Sequence, residues 1–170
     1  MANSRLESAL DTIVTSLKGI TQAQGYRNTV KNVVKGIRPV DMIADFPEIG
    51  IELGRSVIKP LNDARTVYDE IAQVIVAAAV SANTDATNSP EDMQNLYSSA
   101  ESMVHDLKKK ICTEILTDYV NDSTNKFNVE MSANELGFER YVIYGMPHTV
   151  AVVTTEFRLR VRALDESFDD

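Results

Sequence analysis

The chain has 170 residues, of which 44% are hydrophobic and 25% charged, and its formal net charge is -8. These values predict one globular domain over residues 1–170, and the excess of acid argues against a nucleic-acid-binding surface. The single Cys112 excludes an intrachain disulfide, and the absence of a long apolar run or signal peptide predicts a soluble protein made in the cytosol.

The first predicted element is an amphipathic helix. Ser4 and Glu7 form a capping box at its start, and Gly25 predicts its end. Apolar residues recur along it at steps of three and four: Leu6, Leu10, Ile13, Leu17 and Ile20. The β-rich, locally basic segment from Thr29 to Ile37 then predicts a strand leading to a turn at Pro39.

A second strand is predicted between Phe46 and Gly54. Apolar residues alternate along it: Ile49, Ile51 and Leu53. Gly50 indicates a place where another backbone comes close, because glycine carries no side chain. Within Arg55 to Ala64, the turn-forming residues from Lys59 to Asp63 predict a loop or the end of a hairpin.

The next segment, Arg65 to Ala82, fits either a helix or a strand. We favour a strand, because β-branched residues crowd it and turn signals flank it. A polar loop is predicted at 83–89. Ser89 as N-cap and Pro90 at the first helical position then predict a long helix that runs to about Tyr119 with a continuous apolar stripe.

The chain closes with predicted strands. Lys126 to Met131 predicts a short one, and Tyr141 to Tyr144 and His148 to Arg162 predict two more around a Gly145-Met146-Pro147 turn. Helix, strands, long helix and strands follow one another in this order. We therefore expect an α+β fold: a largely antiparallel sheet with an N-terminal helix and one long central helix packed on it.

The last predicted strand alternates strictly between apolar and cationic residues. One face carries Phe157, Leu159 and Val161, and the other carries Arg158, Arg160 and Arg162. The arginine face has three open interpretations: an ordinary solvated face, an edge guarded by charge, or a contact surface for an acidic patch on a second copy.

Metal and catalytic sites are not indicated. His105, His148 and Cys112 are the only soft ligands, and too few of them share a suitable spacing to hold a zinc ion. Cys112 is expected to be a small buried apolar residue. Since glycine-rich phosphate loops and nucleophile motifs are also missing, we expect no enzyme activity, cofactor or metal.

The order of these elements resembles that of the tail terminator (tail completion) proteins of long-tailed bacteriophages. The resemblance covers nearly the whole chain. It is carried by the helix ending near Gly25-Tyr26, a basic strand, the phrase Phe46-Pro47-Glu48-Ile49-Gly50-Ile51, an apolar β segment, a long helix after a polar loop, and the strand from Val150 to Arg162. The loop at 83–89 and the acidic tail at 165–170 have no counterpart in that family.

This resemblance implies a structural virion protein. Its α+β subunit would form a hexameric ring that caps the tail tube, ends elongation and offers a surface to the head or neck. Its partners would be further copies of itself, the tail tube protein, the head or neck connector protein and, in a contractile tail, the sheath protein, but neither a membrane nor a specific nucleic acid. It would be located at the head-proximal end of the tail, and in the host cytoplasm during assembly.

Two alternatives stay open. The protein could be another head-to-tail joining protein, a neck or stopper component of similar size and fold class. It could also be a stand-alone domain that grips an anionic ligand or single-stranded nucleic acid with the Arg158 to Arg162 face.

Segregated charges suggest which residues would make the contacts of a ring, since each subunit must present two complementary faces. The candidate subunit or partner interface consists of Lys31, Lys35, Arg38, Arg158, Arg160 and Arg162 on the basic side, and of Glu48 and Glu52 on the acidic side. The alternative is that these are scattered surface charges that keep the protein soluble.

Overall fold

Two helices and six strands make up the described part of the computed structural model, which covers residues 5–60, 67–81, 90–115, 127–130, 136–144 and 149–164. In chain order they are α1 (Arg5–Lys18), β1 (Asn32–Lys35), β2 (Glu48–Pro60), β3 (Val67–Ser81), α2 (Pro90–Lys110), β4 (Phe127–Glu130), β5 (Phe138–Ile143) and β6 (Val150–Leu164). A π-helical turn, Ile111–Ile115, extends α2. The α+β class is confirmed.

All six strands belong to one sheet, in the order β1-β2-β3-β6-β4, with β5 also paired to β6. Only β1 and β2 are parallel, and the other described pairings are antiparallel. β6 organises this sheet. One of its edges pairs with β3 over the full length of both strands, and its other edge is shared by β5 and β4. The largely antiparallel sheet is therefore as predicted.

Both helices cover the same face of the sheet, which we call the helix face. Alternate strand residues enter this core, among them Ile49, Ile51, Val74, Val76, Phe157 and Leu159. The helices contribute the apolar stripes predicted from their periodicity, including Ile13, Leu17, Met103, Leu107 and Ile111, all fully buried. Burial of these side chains is the main favourable term in forming the layered structure.

β3 settles the ambiguous segment in favour of a strand. It lies between β2 and β6 and is buried on both faces, with every residue from Val76 to Val80 inside. A strand buried on both faces has no polar side and so shows no alternation. This explains why periodicity alone fits a helix equally well.

The loop or hairpin end predicted at Lys59 to Asp63 begins too early, because Lys59 and Pro60 still belong to β2, as do Arg55 to Ile58. These residues continue β2, because β3 supplies a partner along its length as far as the pair Pro60 and Tyr68. A register shift between Leu53 and Ser56 interrupts the pattern of alternation there. β2 and β3 do form a hairpin, whose connection at 61–66 lies outside the described residues.

Other predicted boundaries need smaller corrections. α1 ends at Lys18 rather than Gly25. Gly25 instead closes a 3-10 turn, Gln22–Gln24, with a positive φ of 79°. Glycine adopts that backbone conformation without steric cost. The caps Ser4 and Ser89, the loop 83–89, the helix beyond Ile115, the turn 145–147 and the tail 165–170 lie outside the described residues.

The close approach predicted at Gly50 is confirmed. A Cβ atom there would stand 3.0 Å from the carbonyl oxygen of Gly36 and 3.0 Å from Cα of Ile37. Glycine thus lets the chain after β1 cross the start of β2 on the face opposite the helices.

Candidate functional site

The face of the sheet opposite the helices, which we call the open face, has only partial cover. Ala77, Ala79, Val150 and Val152 form a small buried cluster there. Partly buried side chains from the segment between β1 and β2 pack on it: Val40, Ile43 and Phe46. The described helices contribute nothing to this cluster, and exposed apolar side chains, among them Val57 and Tyr141, lie on the same face.

Arg38 and Glu48 hold that segment in place. Glu48 is 2% exposed at the start of β2, and Arg38 Nε donates to its Oε1 at 2.8 Å. Arg38 Nη2 donates to the second carboxylate oxygen, Oε2, so the pair is bidentate. These two predicted interface residues therefore neutralise each other within the subunit.

The remaining predicted residues near β1 and β2 are divided. Lys35 forms an ion pair with Asp11 of α1 at 2.5 Å, and this hydrogen bond raises the pKa of Lys35. Lys31 is exposed, as is Glu52, which lies opposite Ile75 on the open face. The structure does not bring these charges together into one site.

The arginines of β6 have different surroundings. Phe157 and Leu159 are buried on the helix face, as their alternation predicts. Arg160 Nε donates to Asp69 Oδ2 at 2.7 Å, and Asp69 is 1% exposed. Arg158 is exposed and has no ion-pair partner among the described residues. Arg162 pairs with Asp69 in the β-ladder, and its side chain lies outside the described part.

Arg158 belongs to a groove that we call the cationic groove. Three cationic side chains line it, Arg55 and Lys59 from β2 and Arg158 from β6, around a cavity of about 310 Å³. Val57 and Ile71, which pair directly across β2 and β3, supply its apolar lining. In the described part of the chain, no carboxylate forms an ion pair with any of the three cations.

Gln73 organises the end of this groove. Its Nε2 donates to Glu156 Oε2 at 2.6 Å, and its Oε1 accepts from the backbone N–H of Arg55 at 3.3 Å. The amide therefore links β2, β3 and β6 at the register shift. Glu156 itself lines the groove, where one of its carboxylate oxygens accepts from Gln73.

Sequence reasoning missed Arg55 and Lys59, because it ended the strand at Gly54 and placed Lys59 in a loop. Alternation was the available signal, since Arg55, Val57 and Lys59 stand two residues apart and therefore share a face once the segment is a strand. The register shift between Leu53 and Ser56 makes the strand hard to recognise, because the residues after it no longer alternate in step with Ile49 and Ile51.

Exposed apolar side chains lie elsewhere on the open face. Tyr141 and Ile143 of β5 are 47% and 37% exposed, and they pair with Val152 and Val150 of the buried cluster. Ile37 lines the same shallow cavity of about 100 Å³ as these two side chains. We call Ile37, Tyr141 and Ile143 the apolar patch. Large exposed apolar side chains next to a partly covered core are typical of interaction surfaces.

On the other side of the molecule, Asp106 of α2 fastens the loop after α1. It is fully buried, and its Oδ1 accepts from the backbone N–H of Arg27 at 3.0 Å. Its Oδ2 accepts from the backbone N–H of Asn28 at 2.7 Å and from Asn28 Nδ2 at 2.8 Å. The carboxylate thus ties this loop to α2, and Asn28 Nδ2 also donates to Ser102 Oγ of the same helix at 3.0 Å.

A second polar cluster surrounds Tyr26. Its hydroxyl donates to Glu114 Oε1 at 2.6 Å, and Lys110 forms an ion pair with the same carboxylate. Burial and then the hydrogen bond to Glu114 raise the pKa of Tyr26. Burial alone would also raise the pKa of Glu114, but the hydrogen bonds from Lys110 and Tyr26 lower it overall. These groups are partnered with one another, so the cluster is structural.

Cys112 is exposed, which corrects the prediction that it is buried. The helix turns so that Leu107, Ile111 and Ile115 face the core while Cys112 faces out. In the described ranges, no three His, Cys, Asp or Glu side chains come close enough together to hold a metal ion. No helix in those ranges is both long and apolar enough to cross a membrane.

No family model matches this sequence, and no curated protein matches it significantly.

Proposed function

We propose that this protein is a structural virion protein that works as a ring of identical subunits and caps the tail tube of a long-tailed phage. The observation that carries the proposal is the open face of the sheet. It combines three cations that have no carboxylate partner among the described residues, Arg55, Lys59 and Arg158, with the exposed apolar patch. A surface with both features suits a protein partner, because apolar contact supplies affinity and charge selects the partner and its register.

The order of elements supports the same proposal. α1, the strands β1 to β3, α2 and the strands β4 to β6 follow one another as in the tail terminator proteins that the sequence resembles. In a ring, one face of each subunit contacts a different face of its neighbour. The sheet provides two unlike faces, one sealed by helices and one open.

Capping then follows from simultaneous docking of several subunits. Each subunit of the ring contributes a modest contact to the last ring of the tube, and the linked contacts raise the effective concentration of all the others. The ring would block further tube subunits and leave its opposite side for the head or neck. No covalent chemistry is required of the protein.

Solution mass and negative-stain images of the protein, alone and mixed with purified tail tubes, test this proposal. We expect a ring with a central hole, hexameric as in the family that the sequence resembles, located at one end of each tube. A mass that stays monomeric at high concentration and is unchanged by tubes would contradict it. A ring found between the head and the terminator in intact particles would instead identify a neck or stopper component.

Two matched variants make the test specific to the open face. Tyr141→Ser with Ile143→Ser removes exposed apolar area from β5 without touching the helix-face core, and we expect ring formation to be lost. Tyr97, which is 65% exposed on α2, provides the control. Tyr97→Ser should leave the rings intact, and equal loss in both variants would indicate general destabilisation.

A further inference from the structure

We propose that the cationic groove binds the acidic segment 165–170 of a second copy of this chain. The inference deepens the proposed function and rests on its ring, because it names the contact that joins neighbouring subunits. In this contact Arg55, Lys59 and Arg158 of one subunit bind the acidic segment of its neighbour.

The chemistry of the two sides is complementary. The segment reads Asp165-Glu166-Ser167-Phe168-Asp169-Asp170, with two acidic residues on each side of a single phenylalanine. The groove has three cations and one carboxylate, that of Glu156, around an apolar lining formed by Val57 and Ile71. Its cavity of about 310 Å³ can admit an aromatic side chain, while the flanking carboxylates meet the guanidinium and ammonium groups.

The arginines also differ in their availability. Arg160 is already paired with the buried Asp69, and Arg38 with the buried Glu48. Arg158, Arg55 and Lys59 have no such partner among the described residues, so a carboxylate from outside can pair with them without breaking a described ion pair. This restricts the receiving surface to one part of the predicted arginine face and adds two residues of β2 to it. Two acidic residues of the same chain lie near Arg158: Glu156 lines the groove, and Glu130 of β4 stands opposite Arg158 in the ladder.

Geometry favours a second copy over the same chain. β6 ends at Leu164, and Arg158 lies six residues back along this strand, about 20 Å away. Six residues span at most about 20 Å when fully extended, and reversing direction uses some of that length. The segment of the same chain can therefore approach Lys59 but not occupy the whole groove, whereas a neighbour's segment has no such limit.

A labelled peptide with the sequence of residues 164–170, titrated into the full-length protein and followed by fluorescence anisotropy, tests the contact directly. We expect saturable binding that weakens as salt rises from about 50 mM to about 300 mM, because exposed ion pairs are screened. Arg55→Glu with Arg158→Glu should weaken it by about tenfold or more. Lys108→Glu, at an exposed position of α2, makes the same kind of charge change away from the groove and should leave binding unchanged.

Peptide variants separate this occupant from others. Replacing Phe168 by Ser should weaken binding, and replacing the four acidic residues by their amides should abolish it. Equal binding by the groove variant and by Lys108→Glu would overturn the proposal. So would a single-stranded oligonucleotide of equal charge that binds as tightly as the peptide, since the groove would then accept any anion.

A charge exchange tests the contact between whole subunits. The groove variant Arg55→Glu with Arg158→Glu, and a tail variant with Lys at Asp165, Glu166, Asp169 and Asp170, should each fail to associate alone. Mixed together they should associate, because each contact then joins either lysines to glutamates or the original carboxylates to the original cations. Thermal melts of both variants exclude unfolding as the cause of failure, and no association in the mixture of folded variants contradicts the inference.

The two proposals fail in different ways. Selective peptide binding by a protein that forms no ring on tail tubes would overturn the capping function and keep the groove contact. Rings that form normally while the peptide does not bind would overturn the groove contact and keep the capping function.

Discussion

Replacing Asp106 with Asn tests how the loop after α1 is held. The carboxylate is fully buried and accepts from Arg27 N, Asn28 N and Asn28 Nδ2 at 2.7 to 3.0 Å. A hydrogen bond to a charged group contributes about 1.5 to 3 kcal/mol. Arg27 is exposed and Asn28 partly exposed, so water can replace part of what a lost acceptor supplied. An amide keeps one oxygen and turns an N–H donor toward another donor. We therefore expect a loss of about 2 to 4 kcal/mol in the free energy of unfolding.

Thermal and urea unfolding followed by circular dichroism measure this loss. For a chain of this size each kcal/mol shifts the melting temperature by about 2 to 4 °C, so the drop should be about 4 to 16 °C. Hydrogen exchange adds a local readout, because the amides of Arg27 and Asn28 should lose protection before the core strands do.

Glu101→Gln is the matched control, since it makes the same chemical change on the same helix. Glu101 pairs with Arg140 at the surface, and such pairs contribute about 0 to 1 kcal/mol. A shift for Asp106→Asn no larger than that of the control would refute the reasoning, and would mean that the loop is held by other contacts.

Two further predictions concern backbone conformation and pH. Gly36 has a φ of 90°, so Gly36→Ala should cost about 1 to 2 kcal/mol in unfolding free energy. Gly137→Ala is the control, because an added Cβ meets no atom within 4 Å at either glycine and only Gly36 of the two has a positive φ, so it should be nearly neutral. Equal costs at the two glycines would show that φ is not the cause. Because Lys110 and Tyr26 hold the pKa of Glu114 below its ordinary 4.5, its stabilisation is present above pH 4.5 and is lost as pH falls through the lower folded value. Glu114→Gln should therefore flatten the acid side of the stability profile, and an unchanged profile would exclude this carboxylate as a source of it.

Local pattern was sufficient for most of the fold. Both helices and the strands around Ile49 and Phe157 bury one face. Burial of one face makes apolar residues recur with the period of the element, so the sequence shows steps of three and four in the helices and alternation in the strands. β3 was harder to predict, because a strand buried on both faces shows no alternation of apolar and polar residues.

The candidate site was less predictable, because it depends on pairing across the sheet. The sequence around Arg160 does not show that Asp69 of β3 neutralises it. The sequence around Arg38 does not show that Glu48, ten residues later in β2, neutralises it. Arg158 differs from Arg160 only in what lies beside it after β2, β3 and β6 have assembled. The shift after Leu53 is likewise a product of the β2 and β3 ladder, and it hides the strand that carries half of the groove.

The outer edge of β2 limits how copies of this chain can join. β1 covers this edge only from Glu48 to Ile51, and no described strand pairs with the rest of it. An open edge invites backbone pairing with another molecule, and repeated pairing of that kind grows a fibre without end. The bulge before Ser56 distorts the row of amides, and Pro60 has no N–H to offer. Polymerisation through the backbone is thereby discouraged, which leaves side-chain contacts to determine where assembly stops.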